Sequence, residues 1–272
     1  MAAHMIPSKS LAGRTGGQPE RFSRTGPRPG YQFDWTAPAG RGKVDADLLL
    51  LTGRGSPDRV RALLPAGMEP TGRVLIYMAW MQERTARSTG SSWPFRELGL
   101  AIEARSSGEQ DVDLVFHAPL FVDDPLAAIR GPEGIVGPRR LAEICVDPVG
   151  LGDRDRAFSV HHGGRSVVSA TLRDLRAITT KEFPVCGTRF PVQRAAATGR
   201  GQSVPGLDVQ RTRLDFQVRG TMKGAASIDI HPDAFGGVDI GPLDGLHGYA
   251  GGCRVLLHAA TPFGVKAWSM TA

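Results

Sequence analysis

Several features that would assign this sequence to a familiar class are missing. Its 272 residues include three cysteines, Cys145, Cys186 and Cys253, which lie far apart and form no CxxC pair. An odd and scattered set of cysteines argues against a disulfide framework and is typical of a reducing compartment, so we expect a cytoplasmic location. No apolar run approaches the roughly 20 residues of a membrane helix. The first residues lack the apolar core of a secretory signal, and we expect no membrane association.

Motifs that identify common active sites are absent as well. There is no GxSxG esterase turn, no GxxxxGK[ST] phosphate loop, no HExxH zinc motif and no paired CxxC. His161 and His162 are adjacent, and neighbouring side chains on a strand point to opposite faces, so this pair does not predict a metal site. We expect neither a metal nor a cofactor.

Positive charge is concentrated near the start of the chain. The formal net charge is +6, and residues 1–43, with seven cations and two anions, account for most of it. A nucleic-acid-binding domain carries its basic excess on the folded surface, often with aromatic residues between the cations. Here the excess lies in a Gly/Pro-rich segment, so we predict no nucleic-acid binding. Residues 1–43 are predicted to form a basic arm and residues 44–272 a folded domain.

The remaining sequence alternates short apolar segments with turns. The chain contains 35 Gly and 20 Pro, a composition that favours many short strands over long helices. Apolar and polar residues alternate from Glu97 to Ala104, which predicts a half-buried antiparallel strand, and residues 111–117 form its hairpin partner. Two short helices are predicted, one from the N-cap Ser56 to Pro65 and one from Asp124 to Ile129.

Further strands are predicted along the chain, and residues 183–207, rich in Pro, Gly and Arg, predict a long crossing loop. We expect a single, mainly β (α+β) domain built as an antiparallel barrel or sandwich. The other predicted strands cover residues 46–52, 74–81, 158–162, 165–175, 211–219, 225–231, 253–259 and 265–270.

Two segments resemble a known family. Residues 94–97 read Pro-Phe-Arg-Glu, and residues 121–131 join an acidic turn to a short helix; Gly-Pro-Glu follows at 131–133 and Pro-Arg-Arg-Leu at 138–141. In order and spacing these segments are similar to the Pro-Tyr-x-Glu, Gly-Arg-Glu and Pro-Lys-Lys-Leu motifs of the acetoacetate decarboxylase family. The resemblance spans residues 45–243. It implies that family's antiparallel β-barrel or cone with a few short helices, and assembly as a homo-oligomer.

The departures from the family pattern concern its central chemistry. The family uses the first lysine of its pair to form a Schiff base with a ketone, and Arg139 and Arg140 occupy the two matching positions. A guanidinium keeps its proton at ordinary pH and offers no lone pair to a carbonyl. No lysine lies between Lys43 and Lys181, so a shifted alignment supplies none. The sequence therefore predicts a divergent member that forms no imine.

The same resemblance identifies candidate site residues. Glu97 matches the family's active-site glutamate and is expected to act as a general acid/base. Because adjacent strand residues face apart, one arginine enters the pocket as an anion clamp; we expect Arg139 there, with Arg140 paired to Glu133 or Glu143. The residues expected to contribute to substrate binding are Arg140, Trp93, Phe95, Phe116 and Glu133.

An arginine beside a partly buried glutamate suits reactions that place negative charge on oxygen, such as proton abstraction next to a carbonyl. We therefore expect a lyase-type enzyme (a dehydratase, cyclase or tautomerase) that acts on a small anionic oxo acid in specialised metabolism, as relatives in the wider superfamily do. Two alternatives stay open: a protein that binds an anionic ligand without catalysis, and a decarboxylase of a β-keto acid that works without an imine.

Overall fold

The turn-rich sequence folds mainly as β-strands. The structure is a computed structural model, and it describes residues 43–65, 67–84, 93–106, 112–129, 139–148, 154–194, 209–211, 213–232, 234–235, 239–257 and 261–262. These residues belong to one compact unit, Phe33–Ala272. Apart from Lys43, the predicted arm over residues 1–43 lies outside them, as does the predicted strand over 265–270.

Thirteen strands and two α-helices occur in this part of the chain, with one 3-10 turn at Thr180–Glu182. The strands are β1 Lys43–Arg54, β2 Met68–Arg84, β3 Trp93–Ser106, β4 Asp113–Val122, β5 Arg139–Leu141, β6 Glu143–Pro148, β7 Arg156–His162, β8 Arg165–Ala177, β9 Gly187–Arg194, β10 Val209–Arg211, β11 Leu214–Ile230, β12 Asp244–Leu257 and β13 Thr261–Pro262. The helices are α1 Pro57–Ala62 and α2 Pro125–Ile129.

All the strands join one sheet that curls into a barrel. Their order is β13-β10-β9-β4-β3-β2-β1-β12-β11-β8-β7-β6, with β5 beside β4. β9 also pairs with β11, where Arg189 lies opposite Leu214, so the run from β9 to β11 closes on itself. The mainly antiparallel barrel that the sequence predicts is confirmed; only β5 and β9 run parallel to β4 among the described pairings.

The predicted loop over residues 183–207 is wrong in part, because β9 lies inside it and completes the barrel. Pro191 stands within β9, and proline lowers the local preference for a strand. The pairing with β4 and β11 outweighs that local preference. The two strands predicted over 211–231 are likewise one long strand, β11, interrupted by a bulge between Arg219 and Met222.

Strands β1, β2 and β3 bury both of their faces. The cluster on one face, here called the outer core, also takes in β6, β7 and β8 and includes Leu49, Leu51, Val74, Ile76, Met78, Leu98, Leu100, Ile102, Ile144, Phe158, Val160, Val168 and Leu172. The cluster on the other face, the barrel interior, collects side chains from six barrel strands and includes Leu50, Leu75, Ala101, Leu114, Phe183 and Tyr249, with Tyr77, Phe116, Phe216 and Val218 partly buried against them. The expectation of a half-buried strand at 97–104 is therefore wrong, since Glu97, Ala101 and Glu103 are buried against the interior.

Both predicted helices form: α1 ends three residues before Pro65, and α2 ends at Ile129 as expected. Asp124 caps α2, because its Oδ1 accepts a hydrogen bond from the Ala127 N–H at 3.0 Å. Ser56 precedes α1 but makes no side-chain capping bond, so that detail of the prediction is wrong. Among the described residues, no helix is long enough and apolar enough to cross a bilayer.

Candidate active site

Glu97 lies on the interior face of β3, near the beginning of the strand. Its side chain is among the most buried polar groups of the described residues, with the residue 1% exposed. Ala79 of β2 and Val122 of β4 lie directly opposite it. Because residues two apart on a strand share a face, Phe95 and Gly99 flank it on the same side. A buried carboxylate in such a place requires polar partners.

Two side chains supply those partners. The Tyr77 hydroxyl donates a hydrogen bond to Glu97 Oε1 at 2.9 Å. Arg139 Nη2 lies 3.0 Å from Glu97 Oε2, within ion-pair range. Oε2 has no hydrogen-bond partner among the described residues, so this contact is an ion pair without a well-directed hydrogen bond. The attraction of the arginine and the directed bond from the tyrosine both offset the desolvation of the carboxylate.

Arg139 reaches Glu97 from β5. It lies opposite Leu120 of β4, and its side chain is 13% exposed. Nη1 donates to the Ala127 carbonyl of α2 at 3.2 Å, and the guanidinium carbon lies 5.8 Å from the centre of the Phe95 ring. Nε is buried and has no hydrogen-bond partner in the described part of the chain. Since a guanidinium has five N–H groups, several remain for an acceptor other than Glu97.

Arg140 lies on the opposite face of β5. It faces the side of Phe121, which belongs to the outer core, and its side chain is exposed. Glu143, one of its two expected partners, makes no ion pair with it in the described residues; the other, Glu133, lies outside them. The structure therefore brings Arg139, and not Arg140, into contact with Glu97.

Two of the aromatic residues predicted for the pocket lie at this site. Phe95 is half-buried next to the Arg139 guanidinium. Phe116 packs edge-on against Tyr77, with the ring centres 5.8 Å apart. Trp93 begins β3, but its side chain lies outside the described part of the structure.

Tyr77 is the site residue that sequence reasoning missed. It stands between the apolar residues Ile76 and Met78 and has the appearance of an ordinary core residue. The one available signal was the tyrosine itself within a predicted buried strand, because a buried tyrosine hydroxyl needs a polar partner. Burial first, then the negative charge of Glu97 and the hydrogen bond to it, raise the Tyr77 pKa well above its usual value, while Arg139 acts in the opposite direction. Tyr77 is therefore a neutral donor at ordinary pH.

The described lysine side chains, Lys181 and Lys223, are not partners of Glu97 or Arg139. Lys181 is exposed in the 3-10 turn. Lys223 lies opposite Tyr249 on the interior side of β11, with its Nζ 5.7 Å from the centre of the Tyr249 ring. Around the closed sheet, β12, β1 and β2 lie between β11 and β3 on one side, and β9 and β4 on the other. No three metal-ligating side chains are grouped within the described ranges.

Comparison with known families gives one match over most of the chain. A family model described as acetoacetate decarboxylase matches residues 25–242. No curated protein matches the sequence.

Solved structures with the same fold are distant in sequence. The enduracididine biosynthesis enzyme MppR complexed with pyruvate is 16% identical, with a TM-score of 0.63, over 83% of this chain and 90% of that one. An acetoacetate decarboxylase-like enzyme from Sphingomonas wittichii RW1 is 19% identical, with a TM-score of 0.61, over 84% and 94%. Acetoacetate decarboxylase from Legionella pneumophila is 18% identical, with a TM-score of 0.61, over 94% and 99%. These likenesses agree with the barrel fold that the sequence predicts.

Proposed function

We propose that this chain, which belongs to the acetoacetate decarboxylase family, is a lyase-type enzyme of specialised metabolism that acts on a small oxo acid without forming an imine. The contact between Glu97 and Arg139 on the interior face of the barrel carries this proposal. Each of the two side chains has one buried polar atom, Oε2 and Nε respectively, with no hydrogen-bond partner among the described residues.

Arg139 is the group that would hold the substrate. Arg139 and Glu97 carry opposite charges, so the net charge of the pair is about zero. A bound carboxylate makes the net charge of the site about minus one. The guanidinium compensates through direction as well as charge, since its Nε–H and an adjacent Nη–H present a planar pair of donors to two carboxylate oxygens. Phe95 provides an apolar surface beside this pair, 5.8 Å from the guanidinium carbon.

Glu97 would move the proton. Its Oε2 accepts the proton from the carbon next to the substrate carbonyl, and the C–H electron pair becomes the enolate. The negative charge that develops on the enolate oxygen is stabilised by the Arg139 N–H groups. Return of the proton to carbon completes a tautomerisation or exchange, and its transfer to a leaving hydroxyl completes a dehydration or a dehydrating ring closure.

One observation supports an oxo acid as the substrate class, and a second supports a mechanism without an imine. The relative MppR has been solved in complex with pyruvate, a 2-oxo acid. In this chain the residue at the position of the family's Schiff-base lysine is Arg139, which has no free lone pair with which to attack a ketone. An ionic hold on the carboxylate replaces the covalent hold on the carbonyl.

Deuterium exchange tests the proposal. The protein is incubated in D2O with pyruvate and with a 3-oxo acid, and the loss of the proton signal next to the carbonyl is followed by NMR. We expect exchange by the wild type and a loss of about a hundred- to ten-thousand-fold in Glu97→Gln. Glu103→Gln is the matched control, because Glu103 is also buried on β3 and lies 3.6 Å from an arginine, Arg73, but is not in contact with Arg139. Exchange that survives Glu97→Gln contradicts the proposal.

Two further measurements separate the alternatives. A binding protein would be stabilised against heat by oxo acids and would catalyse no exchange. That stabilisation would depend on Arg139 and would persist in Glu97→Gln. Release of carbon dioxide from a 3-oxo acid would indicate a decarboxylase. Borohydride should trap no adduct in either case, and a trapped adduct would overturn the imine-free mechanism.

A further inference from the structure

We propose that Tyr77 is a positioning residue for Glu97, and that Gly99 provides the space in which Tyr77 reaches it. The role in catalysis rests on the proposed function, whereas the contact between the three residues can be tested without it. Tyr77 and Gly99 lie directly opposite each other on β2 and β3. Glu97 precedes Gly99 by two residues and lies on the same face of β3.

The space over Gly99 is filled by the tyrosine ring. A Cβ atom at position 99 would lie 2.5 Å from Tyr77 Oη and 2.6 Å from both Cε1 and Cζ, closer than any real Cβ contact. The φ angle of Gly99 is not in the left-handed region, so the glycine is required for room and not for its backbone conformation. Without a side chain at 99, the ring lies across β3 and its hydroxyl extends toward Glu97.

This arrangement makes the two oxygens of Glu97 unequal. Oε1 accepts the directed hydrogen bond from Tyr77, and Oε2 lies beside Arg139 without a directed bond in the described residues. Phe116 packs edge-on against the tyrosine ring and restricts its movement. We infer that Tyr77 holds the carboxylate so that Oε2 is the oxygen that exchanges protons.

The direction of the hydrogen bond is fixed by chemistry. A phenol whose pKa is raised by burial and by the charge of Glu97 keeps its proton, and so it donates and does not serve as the base. At the position where the family motif has tyrosine, this chain has Phe95, which carries no hydroxyl. The hydroxyl that contacts Glu97 comes instead from the neighbouring strand.

The contact is tested by NMR on protein labelled with 13C at the tyrosine ζ carbon. The chain has three tyrosines, Tyr31, Tyr77 and Tyr249, so three signals can be followed against pH. We expect the signal that disappears in Tyr77→Phe to titrate above the usual tyrosine range, and Gly99→Ala to move its titration toward lower pH. An unchanged titration in Gly99→Ala would overturn the role of the glycine.

Gly248→Ala is the matched control. A Cβ atom at Gly248 would lie 2.8 Å from Leu172 in the outer core, a crowding that does not involve Tyr77. This variant should lose stability without moving the Tyr77 titration. If Gly99→Ala does not fold, Tyr77→Ala/Gly99→Ala should fold and be the more stable of the two, because the collision is gone. Failure of that rescue also contradicts the proposal.

The role of Tyr77 is tested by the exchange reaction with pyruvate. We expect Tyr77→Phe to lower kcat about tenfold with little change in KM, and to move the acid limb of the kcat/KM profile to higher pH, because a hydrogen bond to the ionised carboxylate is lost. Gly99→Ala should move the limb in the same way, with no further movement in Tyr77→Phe/Gly99→Ala. Gly248→Ala should leave the limb in place.

The outcomes separate the two proposals. If the wild type shows no exchange, the proposed function fails while the NMR titration still decides the contact. If the wild type shows exchange and Tyr77→Phe keeps both its rate and its pH profile, the positioning role fails while the role of Glu97 stands.

Discussion

Neighbouring residues on the central strands of the barrel lie in two different environments. Ile76, Leu98 and Leu100 face the outer core and are fully buried. Tyr77, next to Ile76, and Phe95, three residues before Leu98, face the barrel interior and keep part of their surface accessible. Because side chains alternate along a strand, β2 and β3 supply an apolar core on one face and, on the other, apolar residues together with the polar groups around Glu97.

The polar atoms follow the same division. Three buried side-chain atoms lack a hydrogen-bond partner in the described residues: Glu97 Oε2, Arg139 Nε and Arg189 Nε. Glu97 and Arg139 belong to the candidate site, and Arg189 stands on β9, the strand that closes the barrel, opposite Leu214 of β11. The outer core contributes apolar burial to the stability of the fold, whereas the interior face also holds polar groups that cost stability.

The largest effect should come from breaking the ion pair of the interior. Arg139→Met leaves the Glu97 charge buried beside an apolar side chain, and we expect the free energy of unfolding to fall by about 3 to 5 kcal/mol. Urea unfolding measures this. Glu97→Gln/Arg139→Met should regain most of the loss, because no buried charge is left; a double variant as unstable as Arg139→Met would show that the pair does not govern stability.

A cavity in the outer core should cost stability alone. Leu100 is fully buried, and Leu100→Ala is expected to lower the free energy of unfolding by about 3 kcal/mol through lost burial and the cavity left behind. The rate of deuterium exchange at a temperature where the variant is folded should stay within about twofold of the wild type. A larger loss of rate would mean that the two faces are not independent.

Removal of the tyrosine hydroxyl should have a smaller effect that depends on pH. Tyr77→Phe leaves Oε1 of Glu97 without its donor, at an expected cost of about 1 to 3 kcal/mol near neutral pH. Because the Tyr77 pKa is higher in the folded chain than in the unfolded one, the phenol contributes stability that is lost as pH rises above about 10. The wild type should therefore lose stability more steeply than Tyr77→Phe between pH 10 and 11, measured as urea midpoints; equal slopes would contradict this.

The smallest effect concerns a thiol. Burial, followed by Asp45 and Cys186, raises the pKa of Cys253 to about 12, so its thiolate is scarce at pH 8. Cys145 and Cys186 are only partly buried. Titration with a thiol reagent should label Cys253 in the unfolded chain and not in the native one, and Cys253→Ala should abolish that difference. Rapid native labelling of Cys253 would contradict the burial of this position.

Much of the fold could be predicted from local patterns, because alternation, turns and caps are local properties. β1 to β4 and both helices follow from them. β9 does not, since Pro191 and the surrounding Gly and Arg give no strand pattern and its partners are distant in sequence. The site divides in the same way: alternation separates Arg139 from Arg140, but the side on which each lies depends on how the sheet closes.

By itself, the sequence determined the chemistry available at residues 138–141: the segment reads Pro-Arg-Arg-Leu, and a guanidinium does not give up its proton. It also determined that neighbouring residues on each strand face apart. Only the tertiary structure decided which of the two faces is enclosed and that Tyr77 meets Glu97 over Gly99. The reason is physical: the enclosure results from the pairing of β9 with β4 and with β11. These segments are distant in sequence, and the local pattern of one does not predict its pairing with the others.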